Sequence, residues 1–519
     1  MAGELTRSGT AFPGLTMEWE FIAQVFVMAT AMATLIVVLL GRSDWLLWLT
    51  LFSFGFGGFN VYAAQTVWFP EKIVMFGVLV HVAIHIRAVL RAASPSLRVQ
   101  LLLLLIWVAV SLTAINVIEA PLARDYVDGL QGSVWRPFVQ ASNYLMYAGL
   151  VLLPGIAIRS ANDCKNFWKV ALVFAIILVA GGVVQIGLTL LGIPFMPILR
   201  FHGEHSLLAA FEYADTVMWR VYSFAGEPKA LASFLVPVLA AVAMAGASDQ
   251  SPGWFRSRLL LMGVATILLL TFSSSGLIGF ALAVPILQVV IMRSNAGYLF
   301  RLGHLFAVLA IAVLGASVLL GFDVLQLVQF RTVGRLEAEW GERPEREVLE
   351  YLFGDPALLL TGVGPGMIVF HVPGFHYGSG IAPLESGWLT HLAELGIIGL
   401  ALHFAIVAGA ALRARSALPW APDHAKPFLL AAVGALVGAS CVHLGWNVLR
   451  LICLFLGVLE ASRRVLLGVR NAARSRSLYR SEMQALGVPP ILARAVTRSR
   501  IFSQFAKRGG VHASGRIRP

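Results

Sequence analysis

The chain has 519 residues, 58% hydrophobic and only 13% charged, with a formal net charge of +12. Length alone would suggest roughly three or four soluble domains, but so few charges cannot cover soluble surfaces. Recurrent apolar stretches of near-bilayer length, separated by basic or Pro/Gly-rich breaks, instead predict an all-α polytopic transmembrane bundle, and exclude a secreted disulfide scaffold, a soluble nucleotide-binding enzyme and a disordered regulator.

The residues up to Glu20 lack the basic start of a cleavable signal, and the apolar run after them is too long for one, so this segment is expected to stay in the mature protein. At about 20 residues per crossing, candidate spans fall at 21–40, 45–63, 73–90, 99–118, 138–158, 167–190, 230–247, 259–272, 277–292, 299–320, 388–412, 428–444 and 448–467. The second, eighth and ninth are short or Gly-interrupted, so the expectation is about 12–14 spans. His81 and His85 share a helix face and are read as packed or hydrogen-bonded, since no third ligand is in reach. Ser273–Ser274–Ser275 reads as a small-residue packing turn between two short spans. Cys164, Cys441 and Cys453 lie in or beside apolar segments without metal-ligand spacing and read as small core residues.

From Arg463 onward the chain carries thirteen basic residues against one acid, Glu482, which accounts for the whole charge surplus. On a multispanning protein such a tail is expected on the anionic cytoplasmic leaflet, at about 1 kcal/mol per basic residue near the surface. It lacks the aromatic interleaving of a nucleic-acid binder. The predicted division is therefore a membrane domain over 1–467 and a basic cytoplasmic tail over 468–519.

With the tail inside, alternation places Arg413, Arg415 and Lys426, Arg293 and Arg301, Arg256 and Arg258, Arg159, Lys165 and Lys169, Arg87, Arg91 and Arg98, and Arg42 inside together. Three stretches, 119–137, 191–229 and 321–385, then lie outside. They contain arginines that break the positive-inside pattern: Arg220, Arg331, Arg335, Arg343 and Arg346. Local pairing with Glu337, Glu339, Glu342, Glu345 and Glu347 on a surface helix explains some of them. Arg220, just before a span and without such a cluster, points to an anionic ligand.

The stretch 321–385 is far longer than an ordinary helix connection, which marks it as the functional loop. Residues 337–352 read as an amphipathic helix. Thr361–Gly362–Val363–Gly364–Pro365–Gly366 reads as a structural hinge, because no strand precedes it and no Lys-Ser/Thr follows, as a phosphate-binding loop would need. The chain re-enters the membrane near Glu385, placed in the first turn of a helix either as an N-terminal dipole partner or as a general base for a sugar hydroxyl. His391, six residues on, falls on another face and forms no dyad with Glu385. Glu394, nine residues on, comes round to about 180° away and is expected to be a structural partner within the bundle. His202 and His205 sit in the 191–229 stretch with a spacing that is only superficially metal-like. Glu227 and Lys229 flank Arg220, either touching sugar and phosphate or pairing with each other.

The segments 219–230 (WRVYSFAGEPKA), 331–346, 360–366 (LTGVGPG) and 385–399 (ESGWLTHLAELGIIG) occur in an order that resembles the O-antigen polymerase and O-antigen ligase superfamily. The resemblance covers about a third of the chain, from Arg220 to Gly399. It implies a GT-C-like fold with one large periplasmic loop and an inverting, metal-independent glycosyltransferase. Such an enzyme needs no cofactor and acts at the periplasmic face of the bacterial inner membrane on undecaprenyl-diphosphate-linked glycans. Arg220 matches the arginine before the (Glu/Asn)-Pro element, and Arg346 or Arg335 the loop arginine upstream of the Gly-x-Gly. With Arg331 and Lys229 they would hold the diphosphate, for which guanidinium forks are suited. Glu227, His202, His205 and His391 are the implied sugar-contacting candidates.

Ligases of the superfamily carry His-Asn where Glu385–Ser386 stand here, so the resemblance implies a polymerase joining lipid-linked repeat units into O-antigen, capsule or exopolysaccharide, with Glu385 as base. The implied partners are glycan donor and acceptor lipids, membrane lipids, a chain-length regulator and a flippase. The alternatives are a ligase passing the glycan to another acceptor and a secondary transporter, which would need paired broken helices in two related halves.

Overall fold

A computed structural model describes residues 13–63, 66–117, 136–191, 193, 195, 210–213, 216–246, 248, 250–288, 344–372, 384, 386–445 and 447–485. In chain order the helices are α1 (Pro13–Leu39), α2 (Ser43–Gly55), α3 (Pro70–Ile84), α4 (Ile86–Ala92), α5 (Pro95–Val117), α6 (Arg136–Ala157), α7 (Ala161–Leu190), α8 (Pro228–Gly246), α9 (Arg258–Leu270), α10 (Ser274–Leu287), α11 (Pro344–Gly354), α12 (Pro356–Thr361), α13 (Ile368–His371), α14 (Gly387–Ala417), α15 (Lys426–Val442) and α16 (Leu449–Ala485). Two small antiparallel hairpins interrupt them, β1 (Val61–Ala63) with β2 (Thr66–Trp68) and β3 (Ala210–Tyr213) with β4 (Thr216–Trp219).

Among the described residues five helices are long and apolar enough to cross a membrane: α1, α5, α7, α8 and α14. The pair α3 and α4, bent by 89° at His85, makes a sixth if counted as one span. Of the other expected spans, those on α9, α10 and α15 are short, and 299–320 lies outside the described residues. The expected span 45–63 is corrected: α2 stops at Gly55, ahead of Gly57 and Gly58, and the chain turns into the β1–β2 hairpin.

Polar residues set where the helices start. Ser160 and Asp163 form a reciprocal capping box at α7, and the hydroxyls of Ser257, Ser273 and Ser386 accept from the amides of Leu260, Gly276 and Leu389 at α9, α10 and α14. Helix α8 is the centre of the bundle, buried along almost its whole length, with Pro237 in its interior. It packs most extensively against α15, where small residues let the backbones meet: a Cβ on Gly434 would lie 2.6 Å from the Ala240 carbonyl oxygen. Helices α1 and α5 are peripheral and turn Phe21, Met28, Leu39, Leu102 and Ile106 outward, as lipid-facing helices do.

The bundle has two ends fixed by polar contacts. At the tail end, Arg464 of α16 donates to the carbonyls of Ala92, Gly155 and Ile158, and Glu460 pairs with Arg413. At the loop end, Glu71 at the start of α3 pairs with Arg450 at the start of α16, and Gly387 N–H donates to His443 C=O. The basic groups Arg42, Arg91, Arg159, Arg256, Arg413 and Lys426 stand at helix ends on the tail side, as the alternation of basic loops requires. The His81–His85 reading as packing holds: His81 Nε2 lies 2.8 Å from Ser43 Oγ, with the two imidazoles in edge contact. The three cysteines are free and buried. Helix α16 continues without a break across the 467/468 boundary.

Gly434→Val should destabilise the bundle by about 1–3 kcal/mol through overpacking against α8. Gly187→Val, at a site with nothing within 4 Å of the new Cβ, should be neutral. The check is the thermal unfolding midpoint of the purified protein in detergent.

Candidate functional site

The loop end is organised around a break in α14. Gly396 takes φ 65° and ψ −173°, which interrupts the helix after Leu395. The interruption receives the end of α12: a Cβ on Gly396 would lie 2.1 Å from the Leu360 carbonyl oxygen, and one on Gly362 2.5 Å from the Glu394 carbonyl oxygen. Both positions have positive φ, so glycine is required for conformation and for approach alike. Val363 N–H donates to Ala393 C=O (2.8 Å) and Gly364 N–H to Glu394 C=O (2.9 Å). Gly366 N–H donates to Glu394 Oε1 (2.9 Å), and Arg136 Nε holds the Gly366 carbonyl (2.8 Å). The glycine-rich turn therefore docks a loop onto a helix; its amides are occupied by α14 and do not cradle a phosphate.

Above this turn, α11, α12 and α13 share a small apolar core of Val348, Leu352, Leu358, Val363 and Met367 that includes Ala393 of α14. Tyr351 Oη lies 3.2 Å from His371 Nδ1, and burial lowers the basicity of that imidazole. Within the bundle, Tyr144 of α6 donates to Glu394 Oε2 (3.1 Å) and lies 3.3 Å from His391 Nδ1. His391 stacks on His403 at 4.3 Å and contacts His443 at 5.3 Å, with Trp388 beside both His391 and His443. His391 Nε2 finds no hydrogen-bond partner among the described residues. His443 Nδ1 accepts from Val448 N–H and so ties the α15–α16 turn to this cluster. Among the described residues no group of His, Cys, Asp or Glu could hold a metal ion.

Arg220 stands at the same end. It is buried, and its Nε donates to Thr271 C=O (3.1 Å) at the end of α9. Gln185 of α7 organises the segment after it, donating to Arg220 C=O and accepting from the amides of Tyr222 and Ser223. Ser223 has φ 50° and packs against Gly181, where a Cβ would meet its Oγ at 2.5 Å. Burial raises the Tyr222 phenol, whose hydroxyl donates to Phe195 C=O. Glu227 and Lys229, at the mouth of α8, are also buried.

A short path connects Arg220 to the start of α14. Thr271, which receives the arginine, accepts from Ser273 N–H. Ser273 and Ser275 hydroxyls are 3.1 Å apart, and Ser275 abuts Gly445 closely enough that a Cβ there would lie 2.7 Å from it. Gly445 follows His443, whose carbonyl accepts from Gly387 N–H. The serine turn thus packs as small residues, and it stands between the arginine and the helix mouth.

Helix α14 begins at Gly387 with Ser386 as its cap. The Ser386 hydroxyl takes the capping amide of Leu389. Glu385, Arg331, Arg335, His202 and His205 lie outside the described residues. Arg346, expected at the diphosphate, is on the exposed side of α11 in an i,i+4 ion pair with Glu350 (2.7 Å), an acid outside the set expected to pair with the loop arginines. His391 is buried within the ring stack, and Glu394 is a structural partner, as its angular position suggested. Sequence reasoning passed over Arg136, Tyr144, His403, His443 and the Glu71–Arg450 pair. Their signal was present: ionisable groups within or beside apolar segments. No protein-family profile and no curated protein matches the chain.

Glu394→Ala should release the turn at residues 363–366, raising hydrogen exchange of those amides by roughly 10- to 100-fold, as the loss of about 1–3 kcal/mol from a charged hydrogen-bond acceptor requires. Exchange in α8 and α15 should not change. Tyr144→Phe should give a smaller increase at the same amides.

Proposed function

We propose that the chain is a polysaccharide polymerase of the O-antigen polymerase and ligase type, joining undecaprenyl-diphosphate-linked repeat units at the periplasmic face of a bacterial inner membrane. The observation that carries this reading is the meeting, at one end of an apolar helical bundle, of segments from the family-like set that are far apart in sequence: Arg220–Ala230, Leu360–Gly366 and Ser386–Gly399. The loop end is the periplasmic one in this reading, because basic residues cluster at the other.

In the reaction, Glu385 removes the proton from a hydroxyl on the terminal sugar of a lipid-linked acceptor. The hydroxyl oxygen attacks the anomeric carbon of the donor chain, and the bond from that carbon to the diphosphate breaks. The electron pair leaves on undecaprenyl diphosphate, and the configuration inverts in this single displacement. Arg220 stabilises the developing negative charge, in a setting where removal from water strengthens each charge–charge contact. Its Nε is anchored by Thr271 C=O, which fixes the guanidinium at this end of the bundle, and a guanidinium fork is suited to phosphate oxygens. Lys229 and Glu227, at the mouth of α8, contact phosphate and sugar in this reading. Glu385–Ser386, in place of the His-Asn of ligases, favours polymerisation over transfer to a different acceptor.

With purified protein and lipid-linked repeats as the only substrate, a ladder of lengthening products is expected. Glu385→Gln should reduce extension by about 10²- to 10⁴-fold, the range for loss of a general base, with lipid binding intact. Arg220→Lys, which keeps the charge but loses the fork, should lower kcat/KM by about tenfold or more. Normal extension by Glu385→Gln would remove the base assignment, and no ladder from the wild-type protein would remove the polymerase.

A further inference from the structure

At the tail end, between the α4–α5 turn, the end of α6 and α16, lies a cavity of about 380 Å³. Its polar lining is uneven in charge: the guanidiniums of Arg91, Arg463 and Arg464 face one carboxylate, Glu460. That carboxylate is already divided, with Oε1 on Arg413 (2.6 Å) and Oε2 on Arg463 (2.9 Å). Glu460 is thus the one acid in a lining that holds three arginines. The lining also has an apolar part that includes Leu97, Val151, Leu152 and Leu467.

The arginines have different tasks. Arg464 is scaffold: Nη1 donates to Ala92 C=O (2.8 Å), and Nη2 to Gly155 C=O (2.6 Å) and Ile158 C=O (3.0 Å), which satisfies the open carbonyl ends of α4 and α6. Arg91 is exposed and bonds the Arg87 carbonyl through Nε alone, which leaves its terminal fork for a ligand. Arg463 reaches Glu460 through Nε and Nη2, and its side chain is only 16% exposed.

We propose that this cavity binds the phosphate of an anionic phospholipid, with the phosphate between Arg91 and Arg463 and the glycerol and first acyl carbons against the apolar part of the lining. A phosphate diester matches both parts of the lining: guanidinium forks take its oxygens, and its hydrocarbon covers Leu152 and Leu467, which the protein leaves half-buried. The position is that of a headgroup, at the end of a bundle whose helices are long enough to cross a membrane. Surplus positive charge in a recess between helices is the arrangement that selects anionic over zwitterionic lipids. Because the lipid would bridge the α4–α5 turn to α16, its occupancy ties the peripheral helices to the central bundle.

The full-length protein in detergent, titrated by native mass spectrometry, separates the outcomes. Dioleoylphosphatidylglycerol should be retained as one tight molecule, at least tenfold tighter than dioleoylphosphatidylcholine. Arg91→Gln combined with Arg463→Gln should lose that preference. Gly468→Leu should lose it as well without changing charge: Gly468 lines the cavity, and its Cβ site is open, so leucine fills space in a helix that favours it. Arg98→Gln, a basic residue of the same end that does not line the cavity, should bind as the wild type does. Equal retention by the cavity variants, or an equal loss in Arg98→Gln, would overturn the site in favour of general surface attraction. Displacement of the lipid by inorganic phosphate at matching concentration would overturn the lipid assignment and make free phosphate the ligand.

Discussion

The loop end depends on one backbone contact, that of Gly362 with the break in α14 at Gly396. No side chain fits at either position, and the left-handed backbone at both is accessible to glycine at little strain. The contact replaces a turn of α14 hydrogen bonds with bonds from the loop, so that Val363 and Gly364 satisfy carbonyls near the interruption. Glu394 makes the arrangement specific. One oxygen holds the loop amide of Gly366 and the other the phenol of Tyr144, joining loop, broken helix and α6 at one carboxylate. A carboxylate inside an apolar bundle is costly unless its lone pairs are satisfied, and here the two partners come from separate parts of the chain, the loop and α6.

Much of the architecture was legible because the bilayer allows so few solutions. Long apolar runs had to be helices, and the spacing of basic residues along the chain implied their alternation. Lengths were less legible. Glycines in 55–58 end α2 early and turn the chain into a hairpin, and hydropathy does not distinguish a span from a short buried helix. The site was legible in parts. Arg220 and the glycine-rich turn stood out as a misplaced cation and a conspicuous pattern, while Tyr144, His403 and His443 did not, since single polar residues in apolar helices acquire meaning only when other helices bring them together. Gln185 is the same case: its three contacts to the Arg220–Ser223 segment span more than thirty residues of sequence.

The two ends of the bundle do different physical work. At the tail end, guanidiniums close the carbonyl ends of helices and leave a positive recess. At the loop end, glycines and serines let elements approach, and buried polar groups lock them. The turn at 271–275 has a particular place in this arrangement, because it receives Arg220 on one side and packs toward the start of α14 on the other. In the proposed reaction these are the two sides of the substrate, diphosphate and acceptor hydroxyl, so a rigid turn between them would set the distance over which the displacement occurs.

Photo-crosslinking with a polyprenyl diphosphate glycan that carries a photoreactive group at its sugar tests the central claim most directly, with the modified peptides read by mass spectrometry. The account predicts labels on both the peptide containing Tyr222 and the peptide containing Ser386 and Trp388, competed by unmodified lipid-linked glycan. Labels confined to the tail end, or on only one of these two peptides, would contradict it.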